Sequence, residues 1–200
     1  MDHTGSTERA YDRKLATILR SAARVFAHEG YGGASIRKVA GDAGVSLAGL
    51  YHYVRSKEEL LYLIQLHTFQ SIVANLRETL ERELDPRDRF RATVRNHTEH
   101  FVDHMDELRV CAVELDTLTG EFYEEVAAVR RDYYKLMLGV VRSLGTPEGA
   151  PEHHTRVVTL SLFGSLNWLF QWYDPKRDVN AETLAEQFSN LFVRGFLPRL

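Results

Sequence analysis

Apolar side chains in this chain recur at intervals of three and four residues, and no other feature constrains its fold as much. Leu15, Ile18, Leu19, Ala22, Val25 and Phe26 share one stripe of a helix running from about Arg9 to Glu29. The period returns in Leu60, Leu61, Leu63, Ile64, Ile72, Leu76 and Leu80. It recurs over about 87–105, 107–118, 121–144, 153–172 and 180–196. No alternating β-branched run between turn residues reads as a strand. The spacing predicts an all-α fold of about nine helices, and 200 residues suffice for a sizeable buried core.

Punctuation divides the N-terminal quarter into short pieces. Gly30 ends the first helix, and Gly32-Gly33 loosen the turn. Ser35 is an N-cap for a short helix with Ile36, Val39 and Ala40 inward, and Gly44 stops it. Ser46 caps a third helix ending at Tyr51 or Tyr53. Ser56 opens a fourth, and Ser56-Lys57-Glu58-Glu59 is a capping box in which Glu59 reaches back to the Ser56 amide. Asp85-Pro86 breaks that fourth helix. The segment 145–151 is the clearest long loop, and Asp174-Pro175 separates the last two helices.

Charge is unevenly spread. Residues 1–57 hold nine Lys/Arg against five Asp/Glu, a net of +4, whereas residues 58–200 hold sixteen against twenty-three, a net of −7. A basic end on an acidic chain points to a polyanionic partner when the basic end also has a binding shape. Residues 35–53 supply that shape, the anatomy of a helix-turn-helix pivoting on Gly44. Val39, Ala40, Val45 and Leu50 lock its two helices together. The second helix presents Ser46, Leu47, Ala48, Gly49 and His52, short side chains suited to a major groove. Tyr51 and His52 are candidate phosphate donors, as are Lys57 at a helix start and Arg37 and Lys38 beside Ser35.

Phe26-Ala-His-Glu-Gly30-Tyr31, Ser35-Ile-Arg-Lys-Val-Ala40, Ala43-Gly44-Val45-Ser46, Leu50-Tyr51-His52-Tyr53 and Ser56-Lys57-Glu58-Glu59-Leu60 together resemble the DNA-binding domain of the TetR family. The match covers about residues 10–62 with its spacings intact. It implies a cytoplasmic homodimeric transcriptional regulator, usually a repressor, with an effector-binding C-terminal domain. Its third helix would read bases, with Tyr51, His52 and Lys57 at phosphate-contacting positions. The expected organisation is a disordered tail over 1–8, a helix-turn-helix domain over 9–57 and an effector and dimerisation domain over 58–200.

Two features of the acidic part fit that expectation. The helices at about 153–172 and 180–196 interleave small with large apolar residues. The first carries Val157, Leu160, Ser161, Phe163, Gly164 and Asn167, and the second Leu184, Phe188, Leu191, Phe192, Gly195 and Phe196. Paired across a two-fold axis they would form a four-helix interface; the alternative is intramolecular core. Leu115, Leu118, Phe122, Tyr123, Tyr133, Tyr134, Met137, Trp168 and Trp172 are candidates for an apolar effector cavity, with Asn167, Arg130 and Gln171 as polar anchors. Plain core is the competing reading for each aromatic residue. The segments 164–175 and 185–195, with Arg130-x-x-Tyr133, resemble the TetR regulators that respond to fatty-acyl-CoA and related thioesters. The resemblance implies a CoA-thioester effector; a lipophilic aromatic compound is the alternative.

Other chemistry finds little footing. There is no phosphate-binding glycine loop, zinc-protease signature or Gly-x-Ser-x-Gly elbow, so neither an enzyme nor a cofactor is expected. A helical scaffold would account for the bundle but not for the basic helix-turn-helix. His97, His100 and His104 lie along one helix face, yet structural metal sites normally need four ligands and no metal site is assigned. The lone Cys111 excludes an internal disulfide and suits a reducing cytoplasm. Residues 1–14 carry no export pattern, and no apolar run reaches the ~20 residues that span a bilayer.

Overall fold

The computed structural model describes the backbone of residues 3–82 and 84–196, and the side chains of residues 11–82 and 84–195. Among the described residues all regular structure is helical: α1 (His3–Gly33), α2 (Ile36–Asp42), α3 (Leu47–Tyr51), α4 (Lys57–Leu80), α5 (Pro86–Asp103), α6 (Met105–Val113), α7 (Gly120–Ser143), α8 (His154–Asn167), α9 (Leu169–Trp172) and α10 (Ala181–Phe196). None of these helices is long and apolar enough to cross a membrane.

The caps behave as the sequence suggests. Ser35, Ser46 and Ser56 each accept from the backbone amide three residues on, at 3.2, 3.0 and 3.0 Å. Asp85 caps α5 through the amides of Arg87 and Asp88, with Pro86 in the first turn. Four details differ from expectation. Glu59 accepts from the Arg55 amide rather than that of Ser56, one residue further back. Helix α1 begins at His3, inside the 1–8 segment expected to be a disordered tail; extending a formed helix costs little once a nucleus exists. Near its other end Gly30 leaves helical geometry at φ 74°, and one more turn follows to Gly33. The expected helix over 153–172 is two, α8 and α9, broken at Trp168.

The buried apolar residues form two clusters. The first holds Ile18, Ala22, Phe26, Val39, Leu50 and Val54 of the N-terminal helices. It also draws in Leu60, Leu61 and Ile64 of α4, Val110 of α6, and Leu118 and Val126 around the start of α7. The second holds Ile72, Val73 and Leu76 of α4 with Phe90, Phe101, Tyr133, Met137, Leu162, Leu184 and Phe192. Helix α4 therefore runs through both cores, and α6 sits between them.

Candidate nucleic-acid interface and ligand cavity

Helices α2 and α3 meet at Gly44, whose φ of 62° is a left-handed conformation that other residues adopt at a cost. Leu50 and Val39 are completely buried between them, so α3 is held by one side and presents the other. Leu47 and Tyr51 are exposed at 36% and 49%. Ser46, Ala48 and His52 share this exposure, and Gly49 is half-buried. A Cβ at Gly49 would stand 3.1 Å from the Ser46 Oγ that caps the helix. Glycine there thus leaves the capping hydroxyl room, a reason that helix propensity alone does not give.

Aromatic packing fixes the far end of α3. Tyr11 of α1 stacks on Tyr53 at 4.7 Å between ring centroids and meets the His52 ring edge-on at 6.3 Å. Sequence periodicity placed Tyr11 outside the apolar stripe, so this contact was not legible from spacing.

The basic residues divide by partner. Lys38 pairs with Glu29, and Arg24 with Asp42, which holds the Asp42 carboxyl below the usual carboxylate range. Arg37 is exposed beside the Ser35 cap. Lys57 is tied down: its Nζ donates to the carbonyls of Tyr31 at 2.8 Å and Ala34 at 3.1 Å, and lies 4.4 Å from the centroid of the Tyr31 ring. Two of its three N–H groups thereby close the end of α1, a framework role that the expectation of a purely phosphate-facing lysine did not include.

The acidic body encloses a cavity of about 710 Å³ between α6, α7, α8 and α9. Its wall includes Leu115, Tyr123, Arg130, Tyr133, Tyr134, Asn167, Trp168 and Gln171 among the residues expected there. The other four lie elsewhere. Leu118 is buried in the first core, and Phe122 stacks on Tyr62 at 4.3 Å against that same core. Met137 is interior to the second core, and Trp172 stands half-exposed outside the cavity wall. The sequence reading missed Phe69, Phe101, Leu108, Cys111 and Phe163, which complete the apolar lining. The helical period marks these as buried but cannot say that they face a void.

Arg130 is the distinctive polar member of the wall. It is half-buried, its guanidinium lies 5.7 Å from the Phe69 ring centroid, and burial pushes its pKa down. Its cation stands in a mostly apolar wall, where Asp116 acts on it electrostatically. Burial pushes the Cys111 thiol up to about 12, which leaves it un-ionised and unreactive.

The three histidines do not converge. His97 is fully buried and its Nδ1 lies 2.7 Å from the Tyr133 hydroxyl. His100 stacks on His104 at 4.7 Å, and His104 Nδ1 lies 2.6 Å from the His100 carbonyl oxygen. Among the described residues no group of three or more His, Cys, Asp or Glu is arranged to hold a metal ion.

The helices expected to pair between protomers leave apolar groups in solvent. Val157 and Leu160 on α8 and Trp168 just beyond its end are exposed at 43–58%, with Gly164 between them, and Leu191 on α10 at 64%. Leu184 and Phe192 instead face the second core, Phe163 faces the cavity, and the Phe196 side chain lies outside the described residues.

Comparison with known proteins agrees with this architecture. Residues 18–62 match the family described as bacterial regulatory proteins, tetR family, and residues 83–196 match the tetracyclin repressor-like C-terminal domain. The HTH-type transcriptional repressor KstR2 of Rhodococcus jostii is 24% identical over 89% of this chain and 88% of its own. A TetR-family regulator from Bordetella parapertussis superposes with a TM-score of 0.84 at 29% identity, covering 93% of this chain and 97% of that one. AibR, solved with isovaleryl coenzyme A and operator DNA, has the same fold with a TM-score of 0.77 at 23% identity, over 89% and 97% of the two chains. A basic helix-turn-helix, a separate helical body and two family matches that together span most of the chain lead to one assignment: the chain belongs to the TetR family of DNA-binding transcriptional regulators.

Proposed function

We propose that this regulator is a homodimeric, cytoplasmic repressor that releases a pseudopalindromic operator when a CoA thioester occupies the cavity. The observation that carries the effector class is the wall itself, an apolar space of about 710 Å³ with a half-buried Arg130 cation in it. That volume is typical of small-ligand sites, and an anionic or strongly polar head beside Arg130 would pair with its half-buried charge. The neighbour AibR was solved with an acyl coenzyme A, which supports the same class. A lipophilic aromatic effector is the second reading, favoured by Tyr123, Tyr134, Phe163 and Trp168 around the void.

In this reading Ser46, Leu47, Ala48 and Gly49 approach base edges. Ser35, Arg37, Lys38, Tyr51, His52 and the remaining N–H of Lys57 serve phosphates. The exposed stripes of α8 and α10 bury each other across a two-fold axis, and half-sites lie about one helical turn apart. The domain division at about residue 57 is part of the same proposal, with the head resting on the first half of α4.

The test is a gel shift on DNA upstream of the gene, titrated with hexanoyl-CoA, hexanoate or an aromatic ketone. Release by hexanoyl-CoA alone supports the thioester reading. Release by the ketone alone favours the second reading, and a shift that no compound alters contradicts an effector of either kind.

A further inference from the structure

The faces of α7 and α8 that wall the cavity continue beyond it. On α7, Ala127, Arg130, Arg131 and Tyr134 line the cavity. Tyr134, Leu138 and Arg142, at the same helical spacing, line a second hollow of about 450 Å³. Helix α8 returns alongside, with Leu160, Phe163 and Asn167 on the cavity and Arg156, preceded by Glu152 and His153, on the hollow. Tyr134 is a wall of both spaces, so they lie end to end in one groove between the two helices. The groove changes character along its length, from mostly apolar at the cavity to basic at the hollow. Its charged side chains are four arginines and one glutamate, although residues 58–200 carry a net charge of −7. Arg142 and Arg156 are exposed and, among the described residues, form no ion pair, which leaves both guanidinium forks open to an anion. The first turn of α8 has no acidic residue and no side-chain cap, so its positive end adds to theirs.

We infer that this hollow is the phosphate-binding end of the effector groove. Arg142 and Arg156 take the diphosphate and 3′-phosphate of a CoA nucleotide, while the thioester lies in the cavity near Arg130. Length agrees with charge here. Arg142 stands twelve residues beyond Arg130 on α7, about 18 Å of helix at the usual rise per residue. An extended pantetheine arm separates a thioester from its diphosphate by a comparable distance. A free short-chain acid holds its charge too close to its tail to reach both ends. This assignment rests on the effector reading of the cavity but goes further, because it names the residues that tell a CoA ester from an ester without its nucleotide.

The experiment compares hexanoyl-CoA with hexanoyl-pantetheine, which keeps the thioester and lacks every phosphate, by calorimetry on the full-length protein. The same pair is run on the double variant Arg142→Gln with Arg156→Gln, whose melting temperature should barely move because both side chains are exposed. The wild type is expected to prefer the CoA ester by at least about tenfold, and the double variant to bind both alike, at the pantetheine ester's affinity. Equal binding of the pair by the wild type, or an undiminished preference in the double variant, overturns the inference. Adenosine 3′,5′-bisphosphate reads the hollow without the cavity, and should raise the melting temperature of the wild type but not of the double variant. Failure of both esters to bind would remove the CoA reading alone. In that case a bisphosphate shift confined to the wild type still supports a phosphate site for another nucleotide-bearing ligand. No shift, or one that both proteins share, overturns it.

Discussion

The backbone amide of Tyr31 donates to Oε1 of Glu114 at 3.0 Å, joining the end of α1 to the end of α6 across 83 positions of sequence. Lys57 grips the Tyr31 carbonyl from the other side at 2.8 Å. Gln65 donates to the Glu114 carbonyl at 2.9 Å, and Thr117 to its Oε2 at 2.9 Å. Helix α6 gives Val110 to the first core while Leu108, Cys111 and Val113 wall the cavity. A ligand that displaces α6 must therefore move Glu114, and close-packed interiors pass such shifts on rather than absorb them.

Glu114→Ala removes one hydrogen-bonded contact between head and body. The expected outcome is a loss of about 1–2 kcal/mol of stability in denaturant titration. Effector-induced release should weaken while ligand affinity stays close to wild type, as gel shift and calorimetry together would reveal. Undiminished coupling would place the relay elsewhere.

Lys57→Ala loses two carbonyl contacts and a cation–π contact, so its melting temperature should fall along with operator affinity. The phosphate share is separable by salt. If the remaining N–H serves a phosphate, the slope of log K against log salt drops by about one per protomer. An unchanged slope would leave Lys57 with the framework role alone.

Gly44→Ala forces an L side chain into φ 62°, although a Cβ there meets no neighbour within 4 Å. The cost is conformational, about 1–2 kcal/mol, and Gly44→Asn should recover part of it. Thermal melts of the two variants check the order.

The pH dependence follows from the buried His97 and the half-buried His100. Burial, with repulsion from neighbouring histidines, pushes His97 down to about 3 and His100 to about 4, against an unfolded value near 6.5. Both are lowered in the folded state, so the unfolded chain takes protons first as pH falls below about 6.5. Their contribution is complete above that pH and is lost on acidification towards their folded values. Between pH 6.5 and 5, before most carboxylates titrate, stability should decline by up to about 1.4 kcal/mol per pH unit through His97, with a smaller share from the solvent-screened His100. A melting temperature flat across that window would contradict the buried, neutral assignment.

Much of this was legible from local chemistry. Ser35, Ser46, Ser56 and Asp85 mark helix starts because a cap is a short-range event between a side chain and an amide two or three residues away. The break at Trp168 was not legible, since the apolar period continues through it with neither glycine nor proline. Aromatic spacing marks Tyr123 and Tyr134, which line the cavity, and by the same rule Phe122 and Leu118, which pack in the first core. Periodicity identifies a buried face but not which of two cores, or which void, that face meets. His97 shows the same limit, for its helical spacing with His100 and His104 says nothing of the Tyr133 hydroxyl 36 residues away.

The central claim is that a homodimer reads DNA through α3. Fluorescence anisotropy of a labelled upstream fragment tests it most directly, with wild type and Tyr51→Ala titrated at two salt concentrations and the stoichiometry counted. Tyr51 is exposed at 49%, so its removal should leave the melting temperature nearly unchanged. The account predicts two chains per operator, strong salt dependence and at least tenfold weaker binding by the variant. One chain per site, or wild-type affinity in Tyr51→Ala, would contradict it.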